Sequence, residues 1–214
     1  MEIIVCLLIG YTIGTISPAY IIGALRGVDI RKKGSGNAGA SNVMIVFGKV
    51  AGIACAILDI VKPCIAIWIT RKLFPLFDLA FPLTGAACIL GHIFPFYMKF
   101  RGGKGLACLG GVILMTDVRL FFALVLIELV VVLIVNYICV VPMTASVAYS
   151  VIYGVAYGDS LAALIFFVVA VVIFFKHTEN IKRIKEGTEI RFSFLWNKEE
   201  EMERIKENGI TDNE

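Results

Sequence analysis

Residues 119–136 read RLFFALVLIELVVVLIVN, apolar between the flanks except for Glu128. A helix of that length rises about 1.5 Å per residue and approaches the ~30 Å apolar thickness of a bilayer. Comparable runs recur at residues 3–25, 50–70, 79–98, 105–117, 138–157 and 160–176, each bounded by charge, glycine or proline. In chain order the fourth is short, and only Asn136 and Tyr137 part the fifth from the sixth. The pattern predicts an all-α, polytopic membrane helix bundle with seven transmembrane helices, six being the alternative count. The chain has 214 residues, 59% hydrophobic, with 6 prolines, which excludes both disorder and an ordinary soluble domain. The first run lacks a basic start and is followed by further spans, so it reads as a retained helix rather than a signal peptide.

Lysine and arginine crowd the segments 26–49, 99–104 and 176–185, whereas Arg71, Lys72 and Arg119 alone fall on the other side of a seven-span arrangement. Translocation of basic loops is resisted, so the N-terminus is expected outside and the C-terminus in the cytoplasm. The net charge of +3 adds little. The basic segments are explained by orientation and anionic lipid, with no nucleic-acid partner. The six cysteines, Cys6, Cys55, Cys64, Cys88, Cys108 and Cys139, stand at unrelated spacings in or beside apolar runs. They predict helix packing, with neither disulfides nor a metal site. No repeat of fixed period is visible, which speaks against a transporter of two related halves.

Three polar segments interrupt the apolar pattern. The first carries Gly34-Ser35-Gly36-Asn37-Ala38-Gly39-Ala40-Ser41-Asn42 after Arg31, Lys32 and Lys33. Closely spaced glycines let successive N–H groups converge on one anion, and Ser and Asn add donors. By itself such a stretch is more often only a loop, but this one is expected to open a membrane helix, whose N-terminus favours anions. The second, Arg101-Gly102-Gly103-Lys104-Gly105, combines glycines with a mobile cation. It is no Walker A motif, because Gly105 stands where Ser or Thr is required and no strand precedes it, so a phosphoryl group fits better than a nucleotide. The third holds His177, Asn180, Lys182, Arg183, Gly187 and Glu189, with His177 and Asn180 one helical turn apart. Both side chains can hydrogen-bond hydroxyls. Of the remaining polar residues, His92 reads first as a structural hydrogen bonder. Asp59 and Lys62, three apart on one helix face, read as a neutralising pair. Glu128 has no evident partner.

In order and spacing these pieces resemble the bacterial glycerol-3-phosphate acyltransferases that use acyl phosphate. The resemblance runs from about Gly14 to Glu189, through Gly34 to Asn42, Asp59 to Lys62, Gly91 to Gly105 and His177 to Glu189. It implies transfer of a fatty acyl group from acyl phosphate to the 1-hydroxyl of glycerol 3-phosphate, giving lysophosphatidic acid and phosphate without a cofactor or metal. It further implies a bacterial plasma membrane location with the site facing the cytoplasm, and the soluble enzyme that makes acyl phosphate as a partner. As catalytic residues the resemblance points to Ser35, Lys104, His177 and Asn180. Ser35 and Lys104 would contact phosphate, and His177 with Asn180 would place the glycerol hydroxyls. Gly34, Gly36, Asn37, Gly39, Asn42, Gly102, Gly103, Gly105, Arg183 and Glu189 would bind substrate, with Gly102, Gly103 and Gly105 lending backbone to acyl phosphate. The HxxxxD motif of other acyltransferases is absent, since Tyr97 and Lys182 stand five residues after His92 and His177.

Residues 1–192 are thus expected to form the membrane acyltransferase domain and 193–214 a charged cytoplasmic tail, a solvated helix or frayed end without chemistry. One departure bears on the acceptor. The family usually carries Arg where this chain has Ile45, and Lys49 or Arg31 is the cation expected to stand in. Smaller departures are Ser41, Pro63 and Cys108. Two other readings remain: a divergent paralogue with an altered acceptor or a regulatory role, and an organic-phosphate transporter.

Overall fold

The computed structural model describes residues 1–210, which form helices, 3-10 turns and loops with no strand among them. In chain order the helices are α1 (Glu2–Thr15), α2 (Pro18–Leu25), α3 (Ala40–Phe47), α4 (Lys49–Leu73), α5 (Ala80–Ile93), α6 (Leu106–Thr116), α7 (Val118–Val135), α8 (Val141–Tyr157), α9 (Ser160–Phe175), α10 (Thr178–Lys185) and α11 (Lys198–Ile210). Five segments are long and apolar enough to cross a membrane: Glu2–Leu25, Lys49–Leu73, Ala80–Met98, Val118–Val135 and Ile138–Tyr157. α9 followed by α10, bent by 42°, makes a sixth, and α6 is apolar but has only 11 residues. The segment Ala80–Met98 is 72% buried and Val118–Val135 17%, so α5 forms the centre of the bundle and α7 its rim.

Between α5 and its neighbours, small residues set the spacing. A Cβ on Gly10 would run into the Thr84 carbonyl, one on Gly14 into the Cys88 carbonyl, and one on Gly91 into that of Tyr11. α1 and α5 therefore meet backbone to backbone, the packing that stabilises helix pairs where lipid offers no hydrophobic drive. On the other side of α5, Ile67, Ile89, Val112, Tyr149, Phe166 and Ile173 interlock α4, α6, α8 and α9. We expect Gly14→Val to lower the unfolding midpoint in detergent, at a cost of about 1–3 kcal/mol from overpacking. Gly110→Ala, whose new Cβ would lie 3.5 Å from Phe121, should leave it unchanged. Equal losses in both would mean that helix contact is not the cause.

Within the first apolar run, α1 stops at Thr15 and α2 restarts at Pro18, with the Ser17 hydroxyl accepting from the Tyr20 N–H. Proline has no N–H to donate and so frees a carbonyl of the preceding turn, which inside a bilayer requires a new partner. Tyr97 donates to the Thr15 carbonyl at 2.6 Å and Lys62 to that of Ile16 at 2.9 Å.

Four expectations change here. The first polar loop opens α3, not a membrane helix directly. α3 has eight residues and ends at Gly48, whose φ of +92° ends the helix before α4. Glu128 does have a partner, accepting from the Thr144 hydroxyl at 2.8 Å across α7 and α8. α11 is not simply solvated, because Glu201 is 4% exposed and hydrogen-bonded to Arg191. Residues 211–214 of the expected tail lie outside the described residues. Finally, Arg31 is occupied by Asp29 and the Met98 carbonyl, while Lys49 hydrogen-bonds, among the described residues, to the Leu195 carbonyl, so neither replaces a cation at position 45.

Candidate active site

The first loop is organised by Asn42, the third residue of α3, whose buried side chain faces back into the loop. Its amide nitrogen donates to the Ile30 and Lys33 carbonyls, and its oxygen accepts from the Ser35 N–H at 2.8 Å. Gly34, at a φ of +57°, lies so close that a Cβ would strike the Asn42 oxygen. Asn42 and Gly34 therefore shape the loop. Ser35, Asn37 and Gly39 are the members that line the cavity described below, whereas Gly34, Gly36 and Asn42 do not.

The second loop turns sharply through Lys99 and Phe100, both left-handed, at φ of +55° and +58°. Gly103 then donates to the His92 carbonyl and Gly102 to that of Ile93, each at 3.1 Å. A Cβ at Gly102 would strike the His92 backbone and one at Gly103 the imidazole. These glycines let the loop lie flat on the end of α5, and their N–H groups are already spent on protein carbonyls. Neither Gly102 nor Gly103, each expected to lend backbone to substrate, is among the residues lining the cavity described below. The free donors sit one step later. Gly105, at φ +95°, caps α6, and the first N–H groups of a helix have no intrahelical acceptor. Gly105, Leu106 and Ala107 all border the cavity, where the positive end of the helix dipole favours an anion. Leu106 and Ala107 escape a residue-type reading because their contribution is backbone.

The third segment supplies the opposite wall. His177 is buried, and its Nδ1 lies 2.7 Å from the Ile173 carbonyl. A carbonyl only accepts, so Nδ1 carries hydrogen and, in a neutral ring, Nε2 presents a lone pair. The buried Asn180 bridges two charges. Lys104 donates from Nζ to Asn180 Oδ1, and Asn180 Nδ2 donates to Glu189 Oε1 at 2.5 Å. Glu189 Oε2 accepts from Arg183 Nε at 2.7 Å. Because an ammonium only donates and a carboxylate only accepts, the amide is held in one orientation. Burial, followed by the Arg183 charge, depresses the Lys104 amine to about 8.

These three segments close on one cavity of about 440 Å³. All four expected catalytic residues, Ser35, Lys104, His177 and Asn180, line it, together with Arg183 and Glu189. Its lining is otherwise largely apolar, with Ile53, Ala56, Ile57, Pro142, Phe194 and Leu195 among the residues. The segment Ile190–Leu195, absent from the sequence-based site, forms one side. It is strapped down by Asn136, which accepts from the Phe192 and Ser193 N–H groups. Ile45 is at the cavity wall too.

Asp59 and His92 also border the cavity. Asp59 Oδ1 is 2.8 Å from Lys62 Nζ and 3.3 Å from His92 Nδ1 without hydrogen-bond angles to either, an ionic contact rather than a directed bond. Lys62 Nζ also stands 2.8 Å from His92 Nδ1. Asp59, His92 and Cys108 bring potential ligand atoms within 4.8 Å of one another, but the Lys62 ammonium already occupies the faces of the first two. That arrangement suits an internal cation better than a metal. All six cysteines are free thiols.

A family model described as glycerol-3-phosphate acyltransferase matches residues 4–187. The chain is 37% identical over 207 residues to a glycerol-3-phosphate acyltransferase of Lactiplantibacillus plantarum, covering 95% of this chain and 100% of the relative. It is 38% identical over 186 residues to one of Thermus thermophilus, covering 86% and 92%. Among solved structures it is similar to crystal structures of PlsY, described as an integral membrane glycerol 3-phosphate acyltransferase. The glycerol 3-phosphate form matches at a TM-score of 0.83 and 32% identity, over 91% of this chain and 98% of the other. The lysophosphatidic acid form matches at 0.80 and 31%, over 91% and 97%.

Proposed function

The chain belongs to the glycerol-3-phosphate acyltransferase family and is an enzyme that acylates glycerol 3-phosphate; from that premise we propose that its acyl donor is acyl phosphate. The single observation that supports this donor is the cavity itself. Its lining joins Lys104, Arg183, Ser35 and the N-terminus of α6 to many apolar side chains. Such a space suits a molecule that is phosphate at one end and hydrocarbon at the other.

In this reading the glycerol 1-hydroxyl oxygen attacks the acyl carbonyl carbon. The bond from that carbon to the phosphate oxygen breaks, inorganic phosphate leaves, and the leaving phosphate takes the hydroxyl proton. His177 Nε2 and Asn180 hold the hydroxyls of glycerol 3-phosphate. Lys104, Ser35 and the α6 N-terminus carry the negative charge that grows on the leaving group. Catalysis is then placement and charge stabilisation. Gly39, Asn37 and Gly105 border the phosphates, Gly34, Gly36 and Asn42 shape the first loop, and Gly102 and Gly103 seat the second.

The same reading has seven spans, the short α6 completing the count, in a bacterial plasma membrane. The N-terminus is outside, and the cavity faces the cytoplasm, where a soluble enzyme supplies acyl phosphate. Support for this orientation is the concentration of Lys and Arg on the cavity side. Residues 1–192 form the catalytic domain and 193–214 the cytoplasmic tail.

The test is phosphate release by purified protein given acyl phosphate with and without glycerol 3-phosphate. Release is expected only with both, accompanied by lysophosphatidic acid. Release that ignores glycerol 3-phosphate, or no release at all, would sink the reading. An Ile45→Arg variant is expected to lower the KM for glycerol 3-phosphate by about tenfold, the scale of one added charge-assisted hydrogen bond. A rise instead would mean that Arg183 and Lys104 already saturate the site with positive charge.

A further inference from the structure

Glu189 holds the acceptor wall together through Asn180 and Arg183, yet it stands on irregular backbone. α10 has ended, Gly187 follows at a φ of +71°, and the 3-10 turn begins only at Phe192. Its N–H groups turn back onto α10, Thr188 and Glu189 donating to the Arg183 carbonyl and Gly187 to that of Ile184, and its carbonyls are met from α11. Arg204 Nη2 donates to the Glu189 carbonyl at 2.7 Å, and Nη1 donates to that of Gly187. Glu201 Oε1 accepts the Arg191 N–H at 2.7 Å. The two side chains also pair with each other, Arg204 Nε to Glu201 Oε2 at 3.0 Å and Nη2 to Oε1 at 2.5 Å. The carbonyls of residues 187 and 189 and the N–H of residue 191 thus all meet one ion pair, with Asn208 adding a donor to the Gly187 carbonyl. Glu201 is 4% exposed and Arg204 has a side-chain exposure of 17%, although their helix is otherwise a run of charge that would be free in solvent.

We propose that the Arg204–Glu201 pair of α11 is a positioning device for the acceptor side of the site. By fixing the backbone of residues 187–191 it aims the Glu189 carboxylate, which holds Asn180 and, through it, Lys104. The assignment of Asn180 to the acceptor rests on the proposed function above. A planar guanidinium suits the task because it reaches two carbonyls and a carboxylate at once, which a lysine ammonium on a flexible stem cannot match. Neither residue touches substrate in this reading.

The experiment uses the full chain and compares Arg204→Ala, Arg204→Lys and Glu201→Gln with the natural protein. Arg204→Ala is expected to raise the KM for glycerol 3-phosphate about tenfold, more than it raises the KM for acyl phosphate and more than any fall in the folded fraction accounts for, with partial recovery in Arg204→Lys. In parallel, Lys104 is labelled with an amine-reactive reagent and quantified by mass spectrometry, a readout that needs no turnover. Loss of the brace should free Asn180 and speed labelling of Lys104 severalfold. Unchanged KM values and unchanged labelling in Arg204→Ala would overturn the proposal. So would a loss of activity that only follows the folded fraction. If the natural protein itself forms no product, the reading of the site fails, and the labelling comparison still decides whether α11 positions Lys104.

Discussion

Lys104→Ala is expected to lower kcat/KM for acyl phosphate on the order of a thousandfold, about 4 kcal/mol of lost transition-state stabilisation. The side chain reaches the cavity from a loop that the packing of Gly102 and Gly103 on His92 holds rigid, so its charge is placed before substrate arrives. Among the described residues it hydrogen-bonds to Asn180, a side chain of the site and not of the core, so its loss should leave the unfolding midpoint almost unmoved. The amine is depressed to about 8 by burial, then by Arg183, with Lys176 acting in the same direction and Glu189 opposing. It is therefore charged below that pH and neutral above it, and activity should fall as pH rises through about 8. Lys104→Arg should keep some activity and carry it to higher pH, because a guanidinium stays protonated. A Lys104→Ala enzyme with near-natural kcat/KM would exclude Lys104 as the stabilising cation, whereas a natural enzyme flat from pH 7 to 10 would mean that bound phosphate keeps the amine charged.

Asp59→Ala is expected to cost about 3–5 kcal/mol of stability, the usual consequence of leaving one member of a buried ion pair without the other. Lys62 is 5% exposed, and its ammonium sits among Asp59, His92 and the Ile16 carbonyl at the break between α1 and α2. Removing the carboxylate leaves that charge, among the described residues, without a counter-charge beside it inside a bundle flanked by lipid. Asp59→Ala combined with Lys62→Met should recover most of the loss, since apolar replacements of a buried pair are often neutral or stabilising. Unfolding in detergent, followed by helical signal or by thiol exposure of the buried Cys55, measures both variants. A double variant as unstable as the single one would mean that Asp59 matters through its contact with Cys55 or His92 and not through Lys62.

The apolar runs and three polar segments were readable because each depends on local composition. A membrane-length apolar run must be helical to satisfy its backbone, whatever surrounds it. Gly, Ser, Lys, His and Asn likewise announce a phosphate-handling chemistry by type. The resemblance of those segments to a known family is what singles out Ser35, Lys104, His177 and Asn180, which share one cavity. Where the reading failed, the deciding partner was distant in sequence. Glu128 gains Thr144 only because α7 and α8 pack side by side, and the tail helix gains Arg191 and the Glu189 carbonyl only by folding back.

Sequence alone determined the membrane class and the helical character, because hydropathy is a property of residues taken singly or as near neighbours, and its resemblance to a known family named the candidate catalytic side chains. Tertiary structure decided which donors remain free. Gly102 and Gly103 look like phosphate donors in a row of letters, but α5 claims their N–H groups, and it is the start of α6 that borders the cavity. It also decided that Asn42 braces a loop while Asn180 spans the site. The physical reason is that each polar group makes only a few hydrogen bonds, and which partners take them depends on chain packing rather than chain order.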